Sequence, residues 1–279
     1  MIGLGNIWRF PYVAGESGGA AFILIYILVR FLISVPLMLT EFSIGRSTRR
    51  NSYRAVRKLS PVKAWEGIGL LGIATCFCIL AFYSVIAGWS MEFLKQSVTG
   101  EFMHMGPQQI EDNFNGFVAS GWRPVGWVFL FVAFTGVVVG FGIEKGIERF
   151  NKTVMPLMLL ILVIMCIHSF SMEGFRDGAA FMLRPDFGKV NGNTVLKAIG
   201  QSFFSMRIGM GAMVTYGSYI KINDSMLRVA GTVAITDVTI AILTGLAILP
   251  AVFFILICPF YTSPSPRALS TSRIPISVE

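Results

Sequence analysis

The chain has 279 residues, of which 54% are apolar, 13% aromatic and only 14% charged. That composition is too apolar for a soluble domain and fits a polytopic membrane protein. The formal charge of +8 then belongs between membrane spans, where basic residues hold loops in the cytoplasm, and it does not call for nucleic acid.

Crossing about 30 Å of hydrocarbon takes roughly 20 apolar residues. The opening stretch, residues 1–13, is too short for that, and six later runs qualify: residues 20–42, 69–93, 125–142, 154–172, 199–220 and 229–260. Arg46, Arg49, Arg50, Arg54, Arg57, Lys58 and Lys63 crowd the loop after the first full run. Lys145, Arg149, Lys152, Lys221 and Arg228 fall in two later loops on the same side, which the positive-inside rule makes cytoplasmic. Loops 99–122 and 173–197 then face outward, and the N-terminal piece enters from the cytoplasm. No cleavable leader is expected, because the first residues lack a basic start and a small-residue cleavage site. Residues 1–260 read as one transmembrane domain, and residues 261–279 as a Ser/Pro/Arg-rich tail of linker-like composition.

Cys76, Cys78, Cys166 and Cys258 all lie in apolar runs, with neither a disulfide framework nor a metal-ligand spacing, and read as small buried hydrophobes. His104 sits in an outer loop and His168 alone near a span end. No paired carboxylates, metal cluster or nucleophile elbow accompanies them, so the chain is not read as an enzyme.

Two runs are interrupted by glycine: Gly3-Leu4-Gly5-Asn6 at the start, and Arg207-Ile208-Gly209-Met210-Gly211 inside residues 199–220. A chain that leaves the helix at such points frees backbone groups, which a bilayer tolerates only around a buried or watery cavity. Glycine also serves close helix packing, and a single interruption would be read that way. The pair, with Asn6 and Ser205 beside it, points to a site. Counting the opening piece as span one, the breaks fall in spans one and six, the spacing of two five-helix halves with corresponding broken helices.

GLGNIWRFPY (residues 3–12) resembles the signature of the neurotransmitter:sodium symporter family, in its bacterial type. PLMLTEF (36–42) with Gly45 and Arg46, GIEKGIERFNKTVMP (142–156), MLRPDF (182–187) and GQSFFS (200–205) extend the resemblance over residues 1–252, close to the first seven of twelve usual spans. It implies an all-α inverted-repeat fold of five plus five helices with helices one and six broken, here truncated at both ends. It also implies sodium-coupled amino-acid symport across the plasma membrane, with the N-terminus cytoplasmic. Carried over by position, the backbone at Gly3 and Gly5 and the Tyr83 hydroxyl hold the substrate carboxylate, Phe204 covers the substrate, and Met210 and Ile79 line the pocket. Asn6, Ser205 and Asp237, with the carbonyls of Met1 and Ile2, match sodium ligands, and oxygen donors suit a hard cation. Arg9 and Tyr219 match gate positions. Membrane lipid surrounds the spans, and homo-oligomerisation is left open.

Several departures qualify the match. Tyr26, Gln201 and Ser205 match three of four chloride-holding positions, but the fourth is Ala241, which has no hydroxyl. A fixed Asp237 would supply the missing negative charge, so chloride is not expected. Arg207 stands where the family has a small polar residue near the substrate. It pairs with Glu41, recognises an acidic substrate, or is a damaging substitution or sequence error. Arg30, inside the first full run, has no evident role. The half-helix before Met1 and span eight are expected to be missing, so a non-transporting truncated membrane polypeptide is the alternative reading.

Overall fold

The computed structural model describes residues 3, 5–60, 62–172 and 174–262, and the side chains of these up to Pro250 other than His104, Pro107, Ile143, Glu144, Lys145 and Lys189. Met1, Ile2 and residues 263–279, and with them two of the expected sodium ligands and most of the tail, lie outside the described residues. Every regular element among the described residues is a helix. Five helical stretches are long and apolar enough to cross a membrane: Ala20–Thr48, Lys63–Val98, Trp122–Gly140, Gly146–Phe170 and Met226–Pro250. The chain is a membrane protein of several spans.

Two compact units divide it. The first gathers the described residues of Met1–Ser43, Met158–Ile208 and Ile220–Glu279. It opens with a wide π-turn, Gly5–Arg9, that runs into α1 (Phe10–Glu16). α2 (Ala20–Val29) continues through a second π-segment, Arg30–Ser34, into α3 (Val35–Thr48), whose residues from Ile44 onward belong to the second unit. The π-segment has a local cause. Pro36 has no N–H to give and its ring crowds the preceding turn, so the helix widens, with the Val35 N–H reaching the Arg30 carbonyl.

Phe10, Phe22, Tyr26, Met182, Val238 and Leu249 form the core of this unit. Phe10 and Tyr26 have ring centroids 5.1 Å apart. Small residues set the close approaches. A Cβ on Gly245 would lie 2.6 Å from the end of Met182, and one on Gly178 2.8 Å from the Pro250 backbone. The helices that meet there are α9 (Phe175–Leu183) and α12 (Met226–Thr262).

The second unit comprises Ile44–Leu157 and Gly209–Tyr219. Asn51 starts α4 (Ser52–Leu59) by accepting the Arg54 N–H. α5 (Glu66–Val98) packs against α4 where Gly69 lets the Tyr53 backbone in, and against α7 (Trp122–Gly140) where Gly88 faces Val128. Inside this contact Glu92 is 1% exposed and accepts from Gln96, Arg123 and Trp127.

Several expectations need correction. The outer stretches 99–122 and 173–197 are not simple loops: α6 (Pro107–Ala119) lies in the first, and the second holds α9 and the start of α10 (Gly192–Met206). Asn191 caps α10 from outside the apolar run, accepting the Thr194 N–H at 2.9 Å, which starts the helix seven residues before residue 199. Cys166 is buried, but Cys76 and Cys78 are exposed on α5. A span's apolar residues face lipid as readily as core, so an apolar run does not say which face is covered.

Candidate functional site

The break in span six is built from left-handed backbone. α10 ends at Arg207 (φ 56°), Gly209 and Gly211 follow at φ 84° and 72°, and α11 (Ala212–Gly217) starts only then. Glycine takes that conformation freely and arginine at a cost. At the other break Gly3 precedes the π-turn, and its carbonyl accepts the N–H groups of Asn6 and Ile7.

Inside the first unit the opening break and the end of α10 lie beside a buried polar cluster. Asn6 Nδ2 donates to Asp237 Oδ1 at 2.7 Å. The Tyr26 hydroxyl and the Ser205 hydroxyl each donate to Asp237 Oδ2 at 3.1 Å. Asn6, Ser205 and Asp237 were expected as sodium ligands on three separate stretches of sequence, and these contacts bring them together. Exposure is 1% for Asn6, 2% for Asp237 and 7% for Ser205. Gln201 Nε2 donates to the Gly5 carbonyl at 2.8 Å, tying α10 to the opening break.

Arg30 completes the cluster. It is fully buried, forms an ion pair with Asp237, donates to the Tyr26 hydroxyl, and donates to Ser205 Oγ at 2.6 Å. Its other terminal nitrogen lies 3.4 Å from the Ser202 carbonyl, and Ser202 Oγ is 2.8 Å from Ser34 Oγ. Tyr26 and Ser205 thus each accept from the guanidinium and donate to the carboxylate. Asn6 Oδ1, Gln201 Oε1 and Arg30 Nε are buried without a hydrogen-bond partner. An orphaned amide oxygen next to a carboxylate and a hydroxyl is a donor set that fits a hard monovalent cation.

Of the expected substrate residues, Gly3, Gly5, Phe204 and Arg207 lie together in the first unit. A Cβ on Gly5 would sit 3.4 Å from the Phe204 ring, and one on Gly3 4.0 Å from the Arg207 guanidinium. Arg9 stacks its guanidinium 4.6 Å from the Phe204 ring centre. Tyr83, Met210 and Tyr219 belong to the second unit: Tyr83 is half-buried on α5, the Met210 carbonyl faces Gly72 and Cys76, and Tyr219 is exposed. Ala241, at the fourth chloride position, is fully buried. The sequence reading gave no place to Arg30, Ser34 or Ser202. The signal for Arg30 was its spacing, since Tyr26, Arg30 and Ser34 recur every four residues and share one helix face, and an ionisable group within a span marks a site.

The family model described as Sodium:neurotransmitter symporter family matches residues 1–116 and 101–257. An uncharacterised sodium-dependent transporter of Bacillus subtilis is 37% identical over 252 residues, covering 90% of this chain and 56% of that protein. One from Haemophilus influenzae is 32% identical over 262 residues, covering 90% and 57%. The crystal structure of MhsT in complex with L-phenylalanine matches with a TM-score of 0.84 at 42% identity, over 91% of this chain and 58% of that one. The all-α transporter fold with broken helices one and six is therefore the fold of this chain, which spans a little over half the length of these relatives.

Proposed function

Because the chain belongs to the sodium:neurotransmitter symporter family, we propose that it serves the sodium-coupled symport of an amino acid across the plasma membrane by alternating access. The observation that carries this reading is the convergence of Asn6, Ser205 and Asp237 in one buried cluster of the first unit, with Asn6 Oδ1 still lacking a partner. These residues form the first cation site, and the carbonyls of Met1 and Ile2 serve the first and second sites. The backbone at Gly3 and Gly5, with Tyr83, takes the substrate carboxylate, while Phe204, Met210 and Arg207 bound the rest of the pocket. Arg9 and Tyr219 act as gate residues. The L-phenylalanine bound to MhsT supports an amino acid as the substrate class. The N-terminus is cytoplasmic, in keeping with the basic residues from Arg46 to Lys63.

Chloride has no role in this reading. Ala241 offers no hydroxyl, and the Asp237 carboxylate already supplies the negative charge. Proteoliposomes containing the 279-residue chain test both points with radiolabelled L-amino acids and an inward sodium gradient. Uptake is expected to vanish when potassium replaces sodium and to persist when gluconate replaces chloride. Uptake indifferent to sodium, or none in either cation, would overturn the coupling; uptake lost in gluconate would overturn chloride independence.

A further inference from the structure

A guanidinium with 0% exposure inside a membrane span survives only if its charge and its donors are met. Arg30 meets these needs with the oxygens a small cation would use. Its Nη2 group contacts Asp237 Oδ2, Ser205 Oγ and the Tyr26 hydroxyl. Asp237 and Ser205 are two of the three side chains of the proposed first cation site. Of the cluster's described side chains, Arg30 leaves the neutral oxygens Asn6 Oδ1 and Gln201 Oε1 without a partner, which are too few to replace the hydration shell of an ion. The charge count runs the same way. One carboxylate already faces one guanidinium, and an added monovalent ion would set two positive charges against one negative charge where water does not screen them.

The backbone places Arg30 for this. It is the first residue of the π-segment Arg30–Ser34, on the same face as Tyr26 and Ser34, and Ser34 fixes that face to α10 through Ser202. Widened turns of this kind redirect side chains at functional positions.

We infer that Arg30 is a tethered cation that stands in for sodium at the first site. Only sodium bound elsewhere then couples to transport, and each cycle carries one ion fewer than in a relative whose first site takes sodium. This rests on reading Asn6, Ser205 and Asp237 as that site. Its consequence for the isolated chain is direct: Arg30→Met exchanges the guanidinium for an unbranched apolar side chain of similar reach and opens the carboxylate and hydroxyl to an ion from solution.

The test uses the purified 279-residue chain in detergent, with bound 22Na+ counted by scintillation proximity and melting followed in sodium against potassium. Arg30→Met is expected to bind one more sodium ion per chain than the wild type. It should also melt about 5 °C higher in sodium at a hundredfold excess over its dissociation constant. Both gains should disappear in Arg30→Met/Asp237→Asn. If the single variant does not fold, wild-type crystals grown with thallium(I) give the answer: no anomalous peak among Asn6, Ser205 and Asp237 is expected. A thallium peak there would overturn the tethered cation while upholding the cation site. An Arg30→Met protein that folds but gains no sodium would overturn both.

Discussion

Asp237→Asn leaves the shape of the polar cluster nearly intact and removes its charge. Arg30 would then be a fully buried cation facing an amide, two hydroxyls and a carbonyl, with no counter-charge among the contacts described for it. Removing one partner of a buried ion pair costs about 3–5 kcal/mol, because the remaining charge has given up water for nothing. At about 2 °C per kcal/mol for a chain of this size, the melting midpoint should fall by roughly 6–10 °C. Arg30→Met should cost less, since the Asp237 carboxylate keeps donors from Asn6, Tyr26 and Ser205. The double variant should recover most of the loss, giving a coupling on the order of 2 kcal/mol or more. Tryptophan fluorescence in detergent is the suitable readout, because the exposed thiols of Cys76 and Cys78 would react with a thiol dye before unfolding. A midpoint lowered by less than about 2 °C in Asp237→Asn, or losses that add in the double variant, would refute the reasoning.

Two further outcomes concern the second unit. Glu92→Gln keeps the volume but presents an N–H group where Gln96, Arg123 and Trp127 all donate; thermal melting should show a loss of about 1–3 kcal/mol. Gly45→Ala would drive a Cβ into the Val214 carbonyl and to 2.9 Å from the Ser218 nitrogen, backbone atoms that no rotamer change can move. Its cost should be about 1–3 kcal/mol or more, seen as a lowered midpoint and early loss of monodisperse protein on size-exclusion chromatography.

What the sequence made legible follows from the strength of each local signal. The long apolar runs between residues 20 and 170 could only be spans, and the glycines at 209 and 211 announced a break that the left-handed backbone there confirms. α6 and α9 were read as loops because they are short, and what holds α9 is the approach of Gly178 and Met182 to α12, a tertiary fact. Asn6, Ser205 and Asp237 lie 199 and 32 positions apart along the chain; the resemblance linked them, and neither composition nor periodicity would have done so. Arg30 stayed unplaced for a related reason. Its own sequence neighbourhood is apolar, and the carboxylate that explains it comes 207 positions later.

The widened turn at Arg30–Ser34 also bears on how this span tolerates change. A π-segment is an α-helix carrying one residue more than its pitch requires, so it records an insertion absorbed without breaking the rod. Deleting a single residue there would restore the ordinary pitch and keep the residues beyond it in phase, so Met38 and Phe42, 0% and 3% exposed, would hold the packing they fill. The same deletion in a regular turn of the span would swing everything beyond it by about 100°. The segment from Arg30 to Ser34 is thus a place where the length of the span can change by one residue at little cost to the faces beyond it, while Arg30 and Ser34 themselves are held by their buried contacts.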